Sequence, residues 1–90
     1  MPRTIESETG EIMEKPEKLG GSPILKGTRI RVSDIAIRYR KGETEEDIAR
    51  KLQGIELSDV YTALSYYHRN KKEIEKEIKE REERFKEKQE

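Results

Sequence analysis

Thr28, Ile30 and Val32 alternate with Arg29 and Arg31, the two-residue period of a strand with one buried face. Ile24 and Leu25 stand on the other side of Lys26-Gly27. Glycine tolerates the positive φ of a tight turn, so residues 24–32 read as a β-hairpin. Upstream, Ile12 and Met13 within Glu11–Lys15 suffice for one short strand, limited by Pro16, and Leu19-Gly20-Gly21-Ser22-Pro23 is a loop. Residues 1–10, polar and without period, read as a flexible tail.

Beyond residue 32 the rhythm becomes helical. Ser33 is the expected N-cap of a first helix, with Asp34 in its first turn, Ile35, Ala36, Ile37 and Tyr39 following, and Gly42 in the position that closes it. Thr44 starts a second helix whose first turn holds Glu45, Glu46 and Asp47, the sign that suits a helix N-terminus, and whose apolar stripe is Ile48, Ala49 and Leu52. Gln53-Gly54-Ile55 breaks it. Ser58 is the expected cap of a third helix, on which Val60, Leu64, Tyr67, Ile74, Ile78 and Phe85 form one heptad-like seam, interrupted by Lys71 and Arg81. No glycine or proline follows Gly54, so a single helix is expected from Asp59 nearly to residue 90, roughly 45 Å long at 1.5 Å per residue. From Lys71 on it is mostly Glu, Lys and Arg, with Glu75/Lys79, Glu77/Arg81, Glu80/Arg84 and Glu82/Lys86 in the favoured i,i+4 order. Such pairs contribute ~0.2–0.5 kcal/mol each and would hold a helix with no core beneath it.

Composition narrows what this arrangement can be. The chain has 90 residues, 30% apolar and 44% charged, so one thin core is all it can build, with a solvated extension. Net charge is zero but uneven: residues 21–42 carry six basic groups against one acidic, and residues 43–59 carry six acidic against two basic. A neutral total argues against a bulk polyanion binder, while the local basic block permits a focused phosphate-binding surface. Cysteine is absent, which removes disulfide and thiolate chemistry. Acidic residues fill the N-terminus, so no leader peptide is expected. Nor does any stretch approach the ~20 apolar residues of a membrane span, and a cytoplasmic location is expected. Lys/Glu richness without cysteine is the bias of a thermophile.

Catalysis finds little material. His68 is the chain's single histidine, and no acidic pair is flanked by a ligand-forming partner; Gly20-Gly21 lacks the spacing of a phosphate loop. The chain is expected not to be an enzyme and to use no cofactor, metal or small-molecule substrate. Two helices joined by a short turn, by contrast, can place the second in a DNA major groove. With Val60 and Leu64 turned inward, Asp59, Tyr61, Thr62, Ser65 and Arg69 are expected to face outward, where Thr62, Ser65 and Arg69 can reach bases or phosphates. The acidic Glu56 and Asp59 stand at the end that should face DNA, and a plain three-helix packing unit fits the same spacing. Within the basic block Arg29, Arg31 and Arg38 are either phosphate contacts or the solvated face of a hairpin and helix. Ile74, Ile78 and Phe85 are either anchors of a partner-binding arm or incidental apolar residues on a solvated helix.

One segment carries a resemblance. Gly20-Gly21-Ser22-Pro23-Ile24-Leu25-Lys26-Gly27-Thr28-Arg29-Ile30-Arg31-Val32, then Gly42, then Glu45-Glu46-Asp47-Ile48-Ala49, then Leu57 through Ala63-Leu64-Ser65-Tyr66-Tyr67, resembles the family catalogued as domain of unknown function 433 over roughly residues 11–70. Members of that family look like VapB-type antitoxins, often encoded beside a PIN-like ribonuclease toxin. The resemblance implies a winged or homeodomain-like helix-turn-helix for operator DNA and a C-terminal segment for the toxin. Two departures stand out: Gln53-Gly54 replaces the family's proline after the second helix, and a long charged stretch follows the Tyr-Tyr pair, where many members end.

The expected fold is therefore mainly α. A short N-terminal strand and β-hairpin pack on a three-helix helix-turn-helix unit (residues 11–70), and a charged helical extension (71–90) follows a flexible tail (1–10). The expected function is that of an antitoxin in a type II toxin-antitoxin system. It would be a homodimer that binds operator DNA through Arg29, Arg31, Arg38, Tyr61, Thr62, Ser65 and Arg69, and a PIN-like toxin through Ile74, Ile78 and Phe85. A DNA-binding regulator without a toxin, or a protein-interaction module that does not bind DNA, are the alternatives.

Overall fold

The computed structural model describes residues 12–14 and 21–89; the expected tail over residues 1–10 lies outside the described residues. Strands β1 (Ile12–Glu14) and β2 (Pro23–Leu25) precede helices α1 (Val32–Arg40), α2 (Glu45–Lys51), α3 (Leu57–Arg69) and α4 (Lys71–Gln89). The mainly helical class read from the sequence is the one adopted.

The hairpin is different from the expected one. β2 pairs antiparallel with β1, Ile12 opposite Leu25 and Glu14 opposite Pro23. The returning leg makes a single bridge, Ile24 to Arg31. The reason is local. Thr28 donates its hydroxyl to the Leu25 carbonyl (2.9 Å) and accepts the Ile30 N–H (2.9 Å), while Gly27 sits at φ +81°, so the turn satisfies its own polar groups within six residues. Val32 then starts a helix instead of a strand. Arg31, not Ser33, is the N-cap: its N–H donates to Asp34 Oδ2 (2.9 Å), and its carbonyl accepts the Asp34 N–H (3.0 Å). That reciprocal pair satisfies two backbone groups that a helix start leaves open. Ser33, freed from capping, is fully buried.

At the other end of α1, Gly42 takes φ +98°, and Gly42 N–H and Glu43 N–H return to the carbonyls of Tyr39 and Arg38. Thr44 caps α2 as its sequence indicates, its hydroxyl accepting the Asp47 N–H (3.1 Å). Leu52 to Glu56 form the turn into α3, and Gly54 supplies the positive φ of +92°. Glu56, not Ser58, caps α3, through its N–H to Asp59 Oδ2 (2.8 Å).

The larger correction concerns the C-terminal helix. Asn70 (φ −127°, ψ +43°) breaks it, with its amide side chain and its backbone N–H both bonded to the Tyr66 carbonyl. The break redirects α4, which packs on α1 and α3. Ile74 (0% exposed) and Ile78 (2%) thereby enter the same core as Leu25, Val32, Ile35, Ala36, Ile48, Val60, Ala63, Leu64 and Tyr67. At ~1.5–3 kcal/mol for a fully buried aliphatic side chain, these two residues are structural. They are not free partner anchors, and residue 70 is no boundary between a domain and a solvated extension.

A polar network fastens the same contact. Glu77 Oε2 accepts the hydroxyls of Ser22 (2.8 Å) and buried Ser33 (2.7 Å). Arg81 donates to Ser33 Oγ (2.6 Å) and to Asp34 Oδ1 (2.9 Å). The N-terminal turn of α1, the residue before β2 and two turns of α4 are joined by one chain of hydrogen bonds. Charge assistance makes such bonds stronger than neutral ones.

Candidate nucleic-acid and partner interfaces

α3 buries Asp59, Val60, Ala63, Leu64 and Tyr67 on one side. Tyr61, Ser65, His68 and Arg69 are exposed on the other, and Thr62 is half-buried beside them. Tyr61, Thr62, Ser65 and Arg69, read as outward-facing, are therefore brought together on one face, whereas Asp59, expected with them, is buried because its carboxylate turns back to accept the Glu56 N–H. Thr62 uses its hydroxyl hydrogen on the Ser58 carbonyl (3.0 Å), which leaves an oxygen lone pair for a ligand.

The charge along this face changes sign. At its N-terminal end Tyr61 is held above the usual phenol range, first by partial loss of hydration and then by the negative charges of Glu45 and Glu46. Exposed Glu56 lies at the same end of the helix. At the C-terminal end stand His68 and Arg69, followed by Lys71 and Lys72 on α4. His68 meets Tyr39 of α1 edge-on at 5.9 Å between ring centres, and it tilts against Tyr67 at 5.1 Å. Lys71 Nζ lies 5.9 Å over the Tyr67 ring. Burial raises the Tyr67 phenol, and so does its hydrogen bond to Glu75 Oε2 (2.8 Å), which spans the α3–α4 break.

The basic block of the sequence does not survive as one surface. Arg29 is exposed in the turn before α1. Arg31 is half-buried and lines an open groove with Ser22, Glu73, Glu77 and Arg84; its Nε is buried without a hydrogen-bond partner among the described residues. Arg38 is half-buried and ion-paired with Glu43 (3.3 Å), which Lys51 also approaches at 3.7 Å. Arg31 and Arg38 are thus turned toward α4 and the α1–α2 turn, and neither stands with Tyr61, Thr62, Ser65 and Arg69. The sequence named His68, Ser33 and Glu77 only as a lone histidine, a cap and an i,i+4 partner of Arg81; it did not disclose that His68 meets Tyr39 and Tyr67 from two helices, or that Ser33 and Glu77 bond to each other. Arg81 was visible as a charge on an apolar seam, which is the signal that a polar partner waits beneath it.

Along α4 the core-facing stripe runs Ile74, Ile78, Arg81 and Phe85, at spacings of four, three and four. Its exposure climbs from none at Ile74 to 63% at Phe85. The stripe outruns the body of the protein, and Phe85 is the apolar residue it carries past the edge. Among the described residues no group of three or more His, Asp or Glu could hold a metal ion, and no helix is long and apolar enough to cross a membrane.

Comparison with known proteins adds two findings. A family model described as "Protein of unknown function (DUF433)" matches residues 12–67. The crystal structure of a DUF433 member protein from Anabaena variabilis ATCC 29413 is similar over 74% of this chain, with a TM-score of 0.69 and 27% identity. The chain spans 66% of that relative's length, just under two thirds. No curated protein matches it.

Proposed function

The chain belongs to the DUF433 family, and from that premise we propose that it is the antitoxin of a type II toxin-antitoxin pair. In this reading it binds rather than catalyses. A PIN-like ribonuclease docks on the distal part of α4, and operator DNA lies against the exposed face of α3, read by a homodimer. The observation that carries the reading is the apolar stripe of α4 continuing past the core to an exposed phenylalanine. An aromatic side chain on an otherwise charged helix is the sort of residue that fills a partner's pocket, and such anchors dominate interface energetics. The antitoxin works inside the cell, beside the toxin it restrains.

The test uses the full-length chain, because a chain cut after Asn70 lacks Ile74 and Ile78 and loses part of its core. Tagged protein is expressed together with a PIN-like ribonuclease from the same genome. A stable complex with nuclease activity suppressed is expected, and Phe85→Ser should weaken it about 30-fold, the ~2 kcal/mol loss of a hot-spot residue, with an unchanged melting temperature. If wild-type chain neither retains nor inhibits the nuclease, the antitoxin reading is overturned.

One observation favours a second reading, a protein-interaction module that does not bind DNA. Recognition helices commonly present their N-terminal residues to base edges, and here that end carries Glu56, with Glu45 and Glu46 close enough to act on Tyr61. Like charge facing the phosphate backbone opposes binding there.

A further inference from the structure

We infer that the polyanion-binding surface of this protein lies at the C-terminal end of α3, around Arg69, Lys71, Lys72 and His68, and that its partner is the phosphodiester backbone of duplex DNA. The inference rests on the DNA-binding half of the function proposed above and narrows it from the residues expected from the sequence to one end of α3.

Three observations lead there. First, two of the cations expected to hold phosphates are turned elsewhere: Arg38 pairs with Glu43, and Arg31 faces the groove beside α4, while exposed Arg29 stands apart in the turn before α1. Second, Arg69 and Lys72 are exposed and, among the described residues, form no ion pair, so their charge is directed to solvent. Third, the ring contacts fix the geometry. Tyr39 of α1 meets His68 of α3 edge to face, His68 tilts against Tyr67, and Lys71 at the start of α4 lies over the Tyr67 ring, so ring contacts join the ends of three elements beside Arg69 and Lys72. Lys71, held over the Tyr67 ring, loses less side-chain entropy on binding than a lysine free in solvent does. Opposing charges are present: Glu73 is exposed beside the cluster, and Glu75 is tied to the Tyr67 hydroxyl.

The outward face of α3 spans Ser58 to Arg69, about 16 Å at 1.5 Å per residue. It runs from acidic surroundings to basic ones over that length. DNA approaching this gradient is drawn to the Arg69 end and repelled at the Glu56 end, which fixes the helix to lie with its C-terminal turn against the backbone. Ser65, one turn before Arg69, is then the residue nearest the groove, and Tyr61 lies beyond the contact.

The experiment is a salt titration of DNA affinity. The probe is a fluorescein-labelled mixed-sequence duplex of about 30 base pairs, long enough for two half-sites a helical turn apart, titrated with full-length protein while KCl is varied over roughly 0.05–0.2 M. Arg69→Gln/Lys71→Gln/Lys72→Gln should lower the slope of log affinity against log salt by about 2–3, at roughly 0.9 per phosphate contact, while its melting curve stays that of the wild type. Arg29→Gln, the loss of an exposed cation from another element, should leave the slope unchanged. If wild-type protein binds but the triple variant keeps its slope, or Arg29→Gln removes as much, the surface has been placed wrongly while DNA binding stands. If wild-type protein shows no salt-dependent affinity, the surface and the DNA-binding reading fall together.

Discussion

Replacing Ile78 by alanine tests the claim that separates this structure from the reading of its sequence, namely that α4 is core and not extension. Ile78 is 2% exposed and packs in the cluster that includes Val32, Ile35 and Ile74. Ile→Ala removes three carbon groups, worth ~0.8 kcal/mol each in transfer free energy, or about 2.4 kcal/mol. The cavity left behind raises the expected cost to roughly 2–5 kcal/mol. Domains of this size commonly hold only a few kcal/mol of net stability, so the variant should be marginally folded at 25 °C. Urea unfolding followed by helical ellipticity gives the measurement. At about 1 kcal/mol per molar for a small protein, the midpoint should fall by 2 M or more. Ile78→Val, at ~0.5–1.5 kcal/mol, keeps a full transition if the alanine variant has none. Phe85→Ala, at an exposed site on the same stripe, should change the midpoint by no more than about 0.5 kcal/mol's worth. Were residues 71–90 a solvated extension held by its own i,i+4 pairs, Ile78→Ala and Phe85→Ala would both be near neutral. A midpoint for Ile78→Ala within error of wild type refutes the packing argument.

Glu77→Ala should cost about 1.5–3 kcal/mol, the range for hydrogen bonds to a charged group, because it leaves buried Ser33 and half of the Ser22–Arg81 network without its acceptor; thermal melts check it. Asp47 is held below its ordinary value of 3.8, first by the Thr44 hydroxyl and next by Arg50. A lowered folded-state value stabilises α2 at pH above 3.8 and is lost as pH falls through and below it. Acid titration of ellipticity should therefore show a low-pH loss that Asp47→Asn lacks. Gly27→Ala meets open space but must hold φ +81°, so it should cost about 1–2 kcal/mol from backbone strain alone, and a loss under 0.5 kcal/mol in a melt would contradict the turn geometry.

What the sequence disclosed and what it withheld divide along the range of the interactions. Local chemistry was legible: the Thr44 cap, the Gly42 terminus and the turn at Gly27 all depend on neighbours within a few residues and stand as read, although the strand expected after that turn does not form. The inward set Val60, Leu64 and Tyr67 was equally plain from its period. The break at Asn70 was not, because asparagine is no strong helix breaker and the seven-residue step from Tyr67 to Ile74 keeps the seam in phase across it. The α1 start was misplaced because Ser33 is a good cap by type, whereas the deciding carboxylate of Asp34 reaches back to Arg31. For the candidate site, helical spacing put Tyr61, Thr62, Ser65 and Arg69 on one face, as the structure does, but it also put Asp59 there, which is buried. The basic block failed as a unit because Arg38 finds Glu43 across a turn and Arg31 turns toward α4. Charges close in sequence need not be close in space.

The bonds from Ser22 and Ser33 to Glu77 join residues 55 and 44 positions apart. On the ribosome, therefore, α1, α2 and α3 are all synthesised before the helix that covers them. Until Ile74 and Ile78 emerge, the apolar sides of Val32, Ile35 and Tyr67 lack part of their cover, and the closing contact waits for α4. Late closure of this kind makes α4 a checkpoint: a chain interrupted near Asn70 displays sticky surface to proteases and chaperones, and one that includes α4 conceals it.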